Sequence, residues 1–193
     1  YFSCPGLLSE SQRLKANGND KITTMKKFNN LNEILAYQLE AMYVAEKKLQ
    51  LNLTDCTRMI TSEKLSREFK NYQESSGDKR LKLKRIFSYL LISPSDRKSK
   101  PVLKMLKEME SILLSSTSEE LKNAQFLGAL QAISHYKTAV YSTAKIYSEE
   151  LELKTVSDLL TEIIAWETET YASLTRIAID GVTRDAAMLD QEV

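Results

Sequence analysis

Four long stretches of this chain place apolar residues three and four positions apart, the spacing that gathers them on one face of an α-helix. The first runs from about Asn30 to Ile60, with Leu35, Leu39, Met42, Ala45, Leu49, Leu53 and Cys56 on its stripe. The second runs from about Ser62 to Ile92 and carries Leu65, Phe69, Tyr72, Leu83, Ile86, Phe87 and Leu90. The third, Ser118 to Ser148, carries Leu121, Leu127, Leu130, Ile133, Val140, Ala144 and Tyr147. The fourth, Thr155 to Ile179, carries Val156, Leu159, Leu160, Ile163, Trp166, Leu174 and Ile177. With 5 Gly and 3 Pro in 193 residues, the chain lacks the turn residues that an all-β fold needs. The fold class is therefore all-α.

The breaks between the stretches set the topology. Ser62 stands where an N-cap belongs, and Thr117 with Glu120 three residues on fits a capping box. Pro94 and Pro101 end the second stretch, because neither can continue a helix. Between them and Thr117, Val102 to Leu114 reads as a short amphipathic helix. The first and second helices are joined tightly, as are the third and fourth across Glu150–Lys154, so each pair is antiparallel. The remaining link is one long crossover that holds the short helix, which is the ferritin-like form of a four-helix bundle. This bundle spans residues 28–180. Residues 1–27, with Pro5, Gly6, Asn17-Gly18 and Asn19-Asp20, read as a poorly structured extension, and Met25 is a candidate start. Gly181 is a natural helix stop, and 181–193 reads as a loosely attached tail.

Charge and cysteine content narrow the function classes. The formal net charge is +1, so the whole molecule is not built as a polyanion binder. The charge is uneven, with Lys and Arg crowded between Lys79 and Lys107 and acids crowded after Ile146. These read as solvated faces on different helices; the alternatives are an anion-binding surface, or a basic patch meeting an acidic one in a dimer. The basic segment has Phe87 and Tyr89 but no stacking motif, so nucleic acid is not the expected partner. Cys4 and Cys56 form no CxxC pair, and the single histidine removes most zinc-site patterns. No apolar run approaches the ~20 residues of a membrane span, and the expected location is the cytoplasm.

Polar residues at core spacing carry the functional information. Gln38 and Glu46 fall on the first stripe. Ser75, Ser76, Lys79 and Arg80 interrupt the second, Ser134, His135 and Lys137 the third, and Glu167 and Tyr171 the fourth. All lie near mid-helix, so an antiparallel bundle brings them to one layer. A two-metal carboxylate centre would be built there from several acids and Glu-x-x-His pairs. Glu46, Glu74, Glu167 and His135 are too few for one, and the residue three positions before His135 is Ala132. The favoured reading is a structural polar layer of Gln38, Tyr72, Ser75, Lys79, Arg80, Ser134 and Tyr171, in which Glu46 and Glu167 pair with Lys79 or Arg80.

The segments LNEILAYQLEAMYVAEKKL and GALQAISHYKTAVYSTAKIY resemble the first and third helices of the ferritin-like family of unknown function typified by the bacterial stress proteins YciE and YciF. The resemblance covers about Asn30 to Ala178. It implies a compact bundle, often dimeric, linked to stress, with no settled catalysis. The family's carboxylates fall at Gln38, Ser75, Ser134 and Tyr171 in this chain, and its third-helix pattern loses a second Glu at Lys137. Lys79, Arg80 and Lys137 are placed to supply the charge that a metal would otherwise bring.

Two functions follow. The leading one is a stress-associated bundle with a degenerate metal site, acting by structure or interaction and not by catalysis, with no cofactor, an unidentified protein partner and a homodimeric state. Tyr43, Tyr89, Tyr141 and Tyr147 offer its dimer faces. The alternative is a weak mononuclear site for Fe, Mn or Zn on Glu46, Glu167 and His135, with redox or peroxide chemistry. Nucleophilic catalysis has no support, since His135 has no identifiable Ser or Cys partner.

Overall fold

The computed structural model of the chain describes residues 27–52, 59–94 and 100–189. Among these residues the structure is all-helical. The helices are α1 (Leu31–Asn52), α2 (Glu63–Tyr89), α3 (Lys100–Ser115), α4 (Glu119–Glu150) and α5 (Lys154–Ile177). A π-helical turn, Ala178–Val182, then leads into α6 (Thr183–Met188). Residues 1–26 of the expected extension over 1–27, Cys4 and Met25 included, lie outside the described residues, as do Leu53 and Cys56 of the first stripe.

Local chemistry explains the helix ends. Asn30 Oδ1 accepts from the Glu33 amide at 2.9 Å, while Glu33 Oε2 accepts from the Asn29 amide at 3.2 Å. This is the reciprocal logic of a capping box. Ser62 caps α2 by accepting from the Leu65 amide. For α4 the cap is Ser118, whose hydroxyl accepts from the Leu121 amide at 3.2 Å, and not the expected Thr117. α2 and α4 both end without glycine. Leu91 (φ 54) and Glu152 (φ 55) take the left-handed position. The next amides then reach back to Phe87 O at 3.1 Å and Ser148 O at 2.8 Å, as in a Schellman motif. α2 therefore stops before Pro94 is reached.

Packing follows the stripes. α1 packs on α2 and α4, and α5 packs on α2 and α4, so the long helices share one core. Leu35, Leu39, Met42, Ala45 and Leu49 of α1 are buried there. So are Leu65, Phe69 and Leu83 of α2, Leu130 and Ile133 of α4, and Leu160 and Ile163 of α5. The Leu, Ile, Met and Phe side chains among them each contribute about 1.5–3 kcal/mol. Contacts fix the directions: Gln73 reaches Gln50 O and Tyr43 meets Phe87 edge-on, so α1 and α2 run antiparallel. Gln131 to Thr175 and Ser157 to Glu149 do the same for α4 and α5. The crossover helix α3 buries Val102, Leu106, Met109 and Leu113 and lies mainly on α4.

Two expectations need correction. Residues 181–189, the described part of the expected tail, are not loose: Gly181 (φ 147) turns the chain, Val182 is buried in the core, and α6 packs on α4. Tyr141 is not a candidate dimer face, because it is fully buried.

Candidate functional site

Four charged side chains, one from each long helix, meet in mid-core. Glu46 (α1), Lys79 (α2), Lys137 (α4) and Glu167 (α5) are each 0% exposed. Lys137 Nζ lies 3.0 Å from Glu46 Oε1 and 2.9 Å from Glu167 Oε2, so one ammonium bridges both carboxylates. Lys79 Nζ donates to Glu167 Oε2 at 2.5 Å. Tyrosines complete the layer. Tyr141 donates to Glu46 Oε1 at 2.6 Å. Tyr72 donates to Glu167 Oε1 at 3.4 Å and its oxygen accepts from Lys137 at 3.3 Å. Both ammonium groups also lie over the Tyr72 ring, at 4.7 Å for Lys137 and 5.5 Å for Lys79, within cation–π range. Ser134 pins α5 by donating to the Glu167 backbone carbonyl at 3.3 Å.

The electrostatics follow from this geometry. Burial alone would raise the Glu167 carboxyl, but Lys137 and then Lys79 outweigh it and bring its pKa down to about 2. Burial pulls Lys137 down, yet Glu167 and Glu46 overcome it and hold the ammonium well above its ordinary range. Lys79 goes the other way, lowered by burial and by the like charge of Lys137, against which Glu167 compensates only in part. Lys137 is thus the firmly held cation and Lys79 the looser one. Burial, then Glu167 for Tyr72 and Glu46 for Tyr141, raises both phenols, so both remain donors.

The other expected residues are placed apart. His135 is exposed and lies against the half-buried Tyr171, ring centres 3.9 Å apart and planes tilted by 47°. It does not join Glu46 and Glu167, because the adjacent Ser134 takes the inward position. Ser75 lines a surface groove with Glu68, Asn71, Asp78 and Trp166, while Ser76 faces the core. Glu74 is exposed. Gln38 and Arg80 are half-buried, and neither is hydrogen-bonded through its Gln38 Oε1 or Arg80 Nε atom. Tyr141, missing from the sequence-derived layer, belongs to it. The available signal was its spacing, one helical turn after Lys137.

A divalent ion does not fit these residues. Among the described residues no group of three His, Cys, Asp or Glu side chains converges on a point that could hold a metal. The space between the two carboxylates is taken by Lys137, and a further cation there would meet its charge at close range in a dry site. Nor is there access for a substrate, since the cluster is closed to solvent and a general acid or base must come within hydrogen-bond reach of its substrate. Glu46 Oε2 is buried and receives no hydrogen bond from a protein group.

The fold and this cluster define a class, an all-helical protein whose long helices are joined at mid-core by a lysine–glutamate network. The chain belongs to the family described as Domain of unknown function (DUF892), whose model matches residues 30–187. It is 27% identical over 161 residues to Protein YciF of Escherichia coli strain K12, covering 81% of this chain and 95% of that protein. The crystal structure of the E. coli stress protein YciF superposes with a TM-score of 0.77 at 24% identity, over 81% of this chain and 99% of that one. YcfI of Rhodopseudomonas palustris superposes at 0.75 with 21% identity, over 78% of this chain and 96% of that one. No helix among the described residues is long and apolar enough to cross a membrane.

Proposed function

We propose that this chain is a ferritin-like four-helix bundle in which the lysine–glutamate cluster stands where a two-metal centre would be built, and that it acts in stress through structure or interaction, without catalysis. The observation that carries the reading is Lys137 Nζ, held within 3.0 Å of Glu46 and 2.9 Å of Glu167. A buried ammonium between two carboxylates supplies the positive charge that a cation would otherwise supply. The pairing of helices α1/α2, α4/α5, α2/α5 and α1/α4 supports the bundle. The stress role is supported by the likeness to YciF, named as a stress protein. We extend the reading to a cytoplasmic bacterial homodimer, which sedimentation analysis of the purified chain tests.

The cofactor test is direct. Protein purified without chelator, and again after incubation with Fe(II), Mn(II) or Zn(II), is expected to carry far less than one metal per chain by mass spectrometry. About one metal per chain, lost in Glu167→Ala, would overturn the reading in favour of a mononuclear site.

A further inference from the structure

Between α1 and α2, next to the charged layer, four polar side-chain atoms are buried without a hydrogen-bond partner: Glu46 Oε2, Gln50 Oε1, Ser76 Oγ and Arg80 Nε. They are not scattered. Glu46 and Gln50 are one turn apart on α1, and Ser76 and Arg80 one turn apart on α2, so each pair shares a face. The helices run antiparallel with Gln50 opposite Gly77, where a Cβ would come within 2.9 Å of Gln50 Nε2. With Tyr43 against Phe87 and Gln50 against Gly77, the stretch of α1 from Glu46 to Gln50 runs alongside the stretch of α2 that holds Ser76 and Arg80. Gln38 Oε1, also without a partner, lies two turns away on α1 and is separate.

The hydrogen-bonding complement is specific. Glu46 Oε2 and Gln50 Oε1 only accept, Arg80 Nε–H only donates, and the Ser76 hydroxyl can donate. Two donors and two acceptors on facing turns of two helices match a single water, which accepts two hydrogen bonds and donates two. A metal or ammonium ion is a poor match, because it would face the Arg80 donor and a positive charge. An anion would face the Glu46 carboxylate. Buried waters bind in this way, with two to four otherwise unsatisfied partners. Gly77 is part of the arrangement: glycine disfavours a helix interior, and here its missing side chain leaves room for the Gln50 amide.

We propose that the α1/α2 interface holds one structural water, bound by Glu46, Gln50, Ser76 and Arg80, which completes the coordination of the Glu46 carboxylate and carries the buried polar network out to the half-buried Arg80. The inference does not depend on whether the bundle has a stress role.

A crystal structure of the full chain at high resolution tests it. The expected result is one spherical density peak without anomalous signal, within ~2.7–3.2 Å of the four atoms. Direct hydrogen bonds among the four side chains with no peak between them would overturn the proposal, and so would a metal or another ion at that position. Thermal unfolding gives a second readout. Ser76→Ala keeps the space and removes one of four hydrogen bonds, so Tm should fall by about 2–4 °C. Ser76→Val fills the space and expels the water, so its fall should be at least twice as large. A valine variant as stable as the alanine variant would sink the idea.

Discussion

At Phe69 the core is aromatic: Phe69 and Phe126 are both fully buried and meet edge to face with ring centres 5.1 Å apart. One turn further along α2, at Tyr72, the equally dry core becomes the charged layer of Glu46, Lys79, Lys137 and Glu167. Apolar contacts are non-directional and roughly additive in area. In the aromatic level, then, each side chain contributes by itself, and a neighbour of similar volume can replace it. Buried charges are strongly coupled. Each is tolerable only while its partners are present, because removing one strands the others in a low dielectric. The apolar level therefore tolerates a change of one side chain at a time, and the charged layer only a change of all its partners together.

The largest expected effect breaks that coupling. Lys137→Met leaves Glu46 and Glu167 facing each other without their shared cation and should cost about 3–5 kcal/mol, read from urea unfolding. Combining it with Lys79→Met, Glu46→Gln and Glu167→Gln removes every charge of the layer and should return most of that loss. A quadruple variant no more stable than Lys137→Met would mean that the layer is not held by mutual neutralisation.

The acid limb gives a somewhat smaller effect. The Glu167 carboxyl sits at about 2 in the folded protein against 4.5 ordinarily. A carboxylate depressed by folding stabilises fully above its unfolded pKa, and that contribution fades as pH falls from about 4.5 to about 2. It amounts to roughly 3 kcal/mol, at about 1.36 kcal/mol per pKa unit. Wild type and Glu167→Gln, compared by urea midpoint at several pH values, should therefore converge in stability through this window. A constant gap across it would contradict the depressed pKa.

The smallest effect tests the apolar side of the comparison. Leu39 is fully buried, yet Leu39→Met conserves volume and should cost less than about 1.5 kcal/mol. A loss as large as that of Lys137→Met would mean that the apolar levels are as intolerant as the charged one.

Much of this protein could be read from its residues alone. The helices α2 to α5 lie where the stripes put them, most described stripe residues are buried, Ser62 caps α2, and the crossover carries its own amphipathic helix. The first helix is the exception, since it was expected to reach Ile60, and Met59 and Ile60 lie outside any helix. Helical periodicity is a local property, and the apolar residues repeat it over six or more turns. That Lys79, Ser134 and Glu167 enter a polar layer was legible in the same way. Tertiary structure decided which of two adjacent polar residues faces inward: Ser76 and not Ser75, Lys79 more fully than Arg80, Ser134 and not His135. Successive residues differ by about 100° around a helix axis. A stripe read from sequence is wider than that, so its edge is fixed only when the neighbouring helices choose a rotation. The same choice brought Tyr141 from an assumed surface to Glu46 and carried Tyr171 and Gln38 away from the cluster. It also placed the two lysines between the two carboxylates, since an ion pair across helices depends on register, which no single helix encodes.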